Sequence, residues 1–204
     1  MKAFYCCLFI LILVLGLLNH FSLIDSNILL SLRYERASIH KHEYWCLLSG
    51  HLVHLNLIHT LMNLGALALL IIMFWKDISY RADLPALLFS IFGINIGLYF
   101  LNPELTYYVG FSGVLHGLFL YYFLKTFPQH NKISIFAISL ITAKIVWEQS
   151  PWGDTSETAK LIGGNVAIMA HLYGGIFGLI AGLSYLMWRR KQKKARISCL
   201  KDYF

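Results

Sequence analysis

The sequence predicts an all-α polytopic membrane protein, a bundle of six transmembrane helices forming one domain over 1–204. Three observations carry that expectation. The chain of 204 residues is 58% hydrophobic and only 13% charged, which is too little polar surface to cover a soluble globule of that size. Its apolar residues gather into runs of about 20, the length that a helix rising roughly 1.5 Å per residue needs to cross a hydrocarbon core of about 30 Å. Its basic residues concentrate after the last run, in Arg189-Arg190-Lys191-Gln192-Lys193-Lys194-Ala195-Arg196. The spans read as 3–19, 56–75, 84–101, 112–127, 133–149 and 168–188, with a basic tail over 189–204.

The first span, 3–19, is expected to stay in the mature protein, because no small-residue cleavage site follows it and its loss would leave an odd number of helices. The longest non-spanning segment, 20–55, comes next. An even number of spans puts both termini on one side of the membrane, and the basic tail marks that side as cytoplasmic. The short loops agree: Lys76, Arg81, Lys125 and Lys132 fall inside, whereas Glu104, Glu148, Asp154 and Glu157 fall outside. The formal charge of +7 is therefore a topology signal, and nucleic-acid binding is not expected. Cys6 and Cys7 lie in the first span, Cys199 in the tail, and Cys46 alone in an outward loop, so no disulfide framework is available. No repeat at a fixed period appears.

Polar side chains inside spans are costly to insert, and each one that persists is a functional candidate. They are His59, Asn63, Asn95, Ser112, His116, Lys144 and His171, with His54 just outside the second span. That span opens His54-Leu55-Asn56-Leu57-Ile58-His59-Thr60-Leu61-Met62-Asn63. His59 and Asn63, one turn apart, share a face, and His54 lies off that stripe. An amide and an imidazole in a dry site can donate to a developing oxyanion. Alternatively, they hold helices together, at about 0.6 kcal/mol each.

The fourth span begins Gly110-Phe111-Ser112-Gly113-Val114-Leu115-His116-Gly117, with glycines flanking a serine where a loop becomes a helix. The unsatisfied N–H groups and the dipole of a helix N-terminus favour an oxyanion there. A plain N-cap serine is the competing reading. From Ser112 to Lys125 the helix rises roughly 20 Å against a core of about 30 Å, so the serine lies below the outer surface and needs a water-filled cavity. In the sixth span, His171, Gly174, Gly178 and Gly182 fall on one face, a small-residue stripe headed by an imidazole. Gly113 and Gly117 offer the matching surface, and close packing would bring His171 to Ser112 as a base. In the fifth span, Lys144 and Glu148 are one turn apart and are read as a structural pair.

These three blocks together resemble the rhomboid family: a G-x-S-G nucleophile segment, an upstream H-x-x-x-x-H-x-x-x-N segment and a downstream A-H-x-x-G-x-x-x-G segment, over roughly residues 45–188. The resemblance implies a rhomboid-like bundle with an outward-facing, water-filled active-site cavity. By it, Ser112 is the nucleophile and His171 the general base of a two-residue unit with no orienting carboxylate. His54 and Asn63 are then oxyanion donors beside the Ser112 backbone N–H. His59, His116, Gly110 and Gly113 are candidates for pocket or substrate contact, and Gly117, Gly174 and Gly178 for helix packing. The fifth span and first outer loop form a lateral gate in that family. One departure is that many rhomboids carry Trp-Arg in the first outer loop, where this chain has Trp45-Cys46.

The segment Ser112-Gly113-Val114-Leu115-His116-Gly117, the compact core and Trp147-Glu148-Gln149 are similar to the rhombosortase branch. That branch implies a bacterial inner-membrane enzyme opening to the periplasmic side. Its partners are membrane-anchored substrates with a C-terminal Gly-Gly motif, apolar helix and basic tail, together with the lipid bilayer. No metal or cofactor is expected. The rival readings are a rhomboid with other membrane-helix substrates, a catalytically inactive helix-binding relative, a histidine-ligated metal or haem protein, and a transporter.

Overall fold

The computed structural model of the protein describes residues 1–23 and 25–201. Long apolar stretches that must satisfy their own backbone groups become helices, and the long ones are α1 (Lys2–His20), α5 (Leu57–Phe74), α6 (Tyr80–Leu101), α7 (Ser112–Thr126), α8 (Asn131–Gln149) and α10 (Ile168–Lys201). Four of these, α1, α5, α6 and α10, are long and apolar enough to cross a membrane. Large apolar side chains such as Ile72, Phe100, Phe136 and Leu183 stand exposed on the outside of the bundle, as a hydrocarbon solvent allows and water does not. α7 is only 15 residues long and is enclosed by α5, α6, α8 and α10. α8 is held on one side only, burying Ser134, Ile145 and Glu148.

The loop between α1 and α5 folds into α2 (Ser26–Leu32), β1 (Tyr34–Glu35), α3 (Arg36–His40) and α4 (Cys46–Ser49). β1 pairs antiparallel with β2 (Tyr107–Tyr108), in the register Tyr34 to Tyr108. This two-stranded ladder, with the Gly110 N–H donating to Gly50 O at 3.0 Å, ties the first loop to the segment that leads into Ser112. Trp45 donates to Ser31 O at 3.1 Å. The arginine that anchors this loop is Arg36, whose Nη2 donates to Leu98 O at 2.9 Å, Tyr99 O at 2.9 Å and Asn102 O at 3.0 Å. These are carbonyls that the end of α6 leaves without helical partners, so one guanidinium caps that helix and fixes the loop together. Asn95 adds a second tie, donating to Leu47 O at 2.8 Å.

Lys125 departs from its expected place as a free loop charge. It is buried at the end of α7, with its ammonium 2.5 Å from Asp83 Oδ1 and side-chain exposures of 6% and 0%. Tyr121 and Tyr122 donate to the same carboxylate at 2.9 and 2.7 Å. Lys125 is therefore a buried structural cation rather than a positive charge marking a cytoplasmic surface. The basic segment after residue 188 continues α10 as helix to Lys201 instead of leaving it as a separate tail. The side chain of Cys199 and residues 202–204 lie outside the described residues.

Candidate active site

Ser112 is the first residue of α7, and Phe111 is the N-cap. The serine side chain makes no cap bond. Its Oγ instead lies 2.9 Å from His171 Nε2. The turn into the helix needs glycine at 110, where φ is +114°. A Cβ there would also stand 2.8 Å from the His59 ring. Tyr108 holds that turn by donating from its hydroxyl to Gly110 O at 2.5 Å. The first N–H groups of α7 are left without helical partners beside Ser112.

His171 reaches the serine because α7 and α10 touch through their backbones. A Cβ on Gly174 would overlap Gly113 O, and one on Gly178 would overlap the backbone of Gly117. A Cβ on Gly113 would stand 2.8 Å from Ala170 O. Glycine on both helices allows an approach that side chains forbid.

The serine and histidine open onto a cavity of about 450 Å³ whose walls include His59, Asn63, His116, Lys144, Glu148 and the α9 (Ser156–Ile162) residues Thr158 and Ile162. Leu55 N donates to His59 Nδ1 at 3.4 Å, which leaves Nε2 as the protonated, donating nitrogen facing Gly110. Asn63 donates to His59 O at 3.0 Å with one amide hydrogen and has another to give. His54, expected as an oxyanion donor, does not line the cavity. Its ring packs edge-on against His59 with centroids 4.8 Å apart, and neither nitrogen has a partner among the described residues. Burial, with the neighbouring His59 adding to it, lowers His54 to about 3, so its imidazole stays neutral. His54 departs from expectation because the last turn before α5 directs it against His59, whereas one helical turn separates His59 and Asn63 and aligns them.

The pairing of Lys144 and Glu148 also does more than the sequence suggested. Lys144 Nζ lies 2.8 Å from Glu148 Oε1, and Glu148 Oε2 lies 2.9 Å from His171 Nδ1. Beside the expected serine–histidine unit, a buried carboxylate thus contacts the far nitrogen of His171. His116 joins the group, with Nδ1 2.7 Å from Ser112 O, Nε2 2.8 Å from Lys144 Nζ, and its ring stacked on His171 at 4.2 Å. The donor atoms of His116, Glu148 and His171 lie within 4.8 Å of one another, close enough in principle to hold a metal ion. The Lys144 ammonium already bridges two of them and opposes a divalent cation there.

A rhomboid domain matches residues 41–188, well over half of the chain and all of the elements that build this cavity. The chain belongs to the rhomboid family. No curated protein matches it. Rhomboids are intramembrane serine proteases, and the apolar helices make this rhomboid a multi-pass membrane protein. Sequence reasoning missed Glu148 as a neighbour of His171 because the contact joins α8 to α10. The available signal was a carboxylate one turn from a lysine inside an apolar span, where a structural pair and a polarising group read alike.

Proposed function

We propose that this rhomboid is an intramembrane serine endopeptidase with Ser112 as nucleophile and His171 as general base. The observation that carries the reading is the 2.9 Å approach of Ser112 Oγ to His171 Nε2 at the wall of a cavity. Ser112 Oγ attacks a peptide carbonyl carbon while its proton passes to His171 Nε2. His171 returns that proton to the leaving amine as the C–N bond breaks, and a water molecule deacylates the serine by the same exchange. The tetrahedral oxyanion takes donors from the Ser112 backbone N–H, Asn63 Nδ2 and His59 Nε2, the last replacing His54 on the geometry of the cavity.

Under this reading the chain is one domain over 1–204 with six spans. Both termini face the cytoplasm of a bacterium, and the cavity opens to the periplasmic side of the inner membrane. α7 and α8 are then the two spans that fall short of an apolar transmembrane stretch, tolerated because α7 is wrapped by other helices and α8 turns Lys144 and Glu148 inward. The substrate class we assign is the rhombosortase one, exported proteins anchored by a C-terminal Gly-Gly motif, apolar helix and basic tail. The support for it is the likeness of residues 112–117 and 147–149 to that branch.

A membrane-anchored reporter carrying such a tail, co-expressed with the enzyme, tests the reading. Ser112→Ala and His171→Ala are expected to lower cutting by on the order of 10⁴-fold or more, with normal insertion. Equal cutting by Ser112→Ala removes the serine from the chemistry. Wild-type cutting of general rhomboid substrates but not of this reporter retains the protease and removes the sorting-tail assignment.

A further inference from the structure

With His171 neutral, the close contacts around it fit one donor order, and Lys144 Nζ, 3.5 Å from His171 Nδ1, is the more distant neighbour of that nitrogen than Glu148. If Lys144, which can only donate, bonds both Glu148 Oε1 at 2.8 Å and His116 Nε2 at 2.8 Å, then His116 Nε2 accepts. His116 must then carry its proton on Nδ1 and donate to Ser112 O at 2.7 Å. Glu148, an acceptor with one oxygen already on Lys144, takes the Nδ1 proton of His171 on the other at 2.9 Å. That fixes His171 Nε2 as the acceptor facing Ser112 Oγ at 2.9 Å. The bonds close into a ring that leaves and re-enters Ser112.

Three features of the packing hold Glu148 in this ring. Its side chain is 8% exposed. Ile145, one turn earlier, seats against Gly175 of α10. Gln149 donates to Ile168 O at 3.1 Å and pins the end of α8 to the start of the helix that carries His171. Lys144 is 46% exposed at the cavity, supplying the countercharge a buried carboxylate needs while its own head remains hydrated.

Resting on the serine protease reading, we infer that Glu148 is a positioning residue for His171 and that the site is a Ser112–His171–Glu148 triad clamped by Lys144. The carboxylate selects the Nδ1-protonated tautomer and holds the ring toward the serine. When Ser112 gives its proton to Nε2, the imidazolium then faces an anion. Glu148 takes no proton at any step; the proton received by His171 goes on to the leaving amine as before.

The test measures the rate at which a fluorophosphonate labels Ser112 in detergent-solubilised full-length protein, alongside kcat and KM for peptide cleavage and the melting temperature. Glu148→Gln is expected to slow labelling and kcat in parallel by roughly a hundredfold, with KM within about twofold of wild type and Glu148→Asp recovering part of the loss. A residue that merely fastens α8 would instead lower the melting temperature and leave the labelling rate of the folded protein unchanged. That result overturns the inference. Because the variant can fail to fold, the wild type carrying ¹⁵N-histidine supplies a second readout: His171 protonated at Nδ1 supports the triad, and protonation at Nε2 overturns it. Failure of the protease reading is distinguishable, since wild type and Ser112→Ala would then label equally, which overturns the triad with it.

Discussion

Lys125 with Asp83 and Lys144 with Glu148 are the same pair chemically, one near each end of α7. At the C-terminal end of that helix the pair is sealed. Asp83 is fully buried, and its oxygens accept from Lys125, Tyr121, Tyr122 and the N–H of Ser79, which lies 2.6 Å away at the start of α6. At the N-terminal end the pair faces a cavity, with Lys144 half exposed and Glu148 sharing its oxygens between the lysine and a histidine. A saturated carboxylate can only hold helices together. One whose second partner is a titratable ring beside a serine can influence that ring's chemistry. The pair at the N-terminal end depends on the backbone contact of α7 with α10, which brings His171 to Ser112, whereas the sealed pair joins α7 to α6.

Gly178→Leu is expected to cost about 3 kcal/mol or more, because its side chain would occupy the Gly117 backbone and push the helices apart. Thermal unfolding in detergent checks this, and activity should fall with stability; an unchanged melting temperature would show that the α7–α10 contact does not hold the fold. Asp83→Leu is expected to destabilise by roughly 3–5 kcal/mol, since it leaves the Lys125 ammonium buried without its partner. Asp83→Leu with Lys125→Met should recover most of that loss, measured by the same unfolding curve, with cleavage per folded molecule unchanged.

Between the two ends in kind are buried groups with no partner among the described residues, His51 and His54, which lie in the loop before α5. Burial lowers them to about 4 and about 3 respectively. Their folded values lie below the ordinary 6.5, so the unfolded chain binds more protons and stability is lost as pH falls below about 6.5. The slope is up to about 1.4 kcal/mol per pH unit for each histidine. Unfolding measured across that range should flatten in His54→Phe. The smallest stability effect belongs to Lys144→Met, expected at about 1–2 kcal/mol, because the buried Glu148 carboxylate loses its countercharge but keeps its bond to His171 and faces a cavity. A cost equal to that of Asp83→Leu would erase the distinction between the two ends.

Much of this was legible in the chain. Hydropathy placed the starts of the six long helices within a few residues, though not the run of α10 past 188, and the small-residue stripes on α7 and α10 pointed to the contact that carries His171 to Ser112. His59 and Asn63 were legible as one face because a turn of helix separates them. Glu148 was visible only as half of a local pair with Lys144, and Lys125 only as a basic residue near a loop. Arg36 gave no signal at all, since the carbonyls it caps belong to a helix end more than sixty residues later.

The order of residues along the chain dictates where backbone must be helical, which faces lack side chains and which polar residues are out of place in hydrocarbon. These are local properties, set by composition and by the period of a helix. Which polar groups meet follows from helix packing: Glu148 with His171, Asp83 with Lys125, and His59 rather than His54 at the cavity. A hydrogen bond depends on position to within a few tenths of an ångström, and that precision arises only when helices distant in sequence have packed.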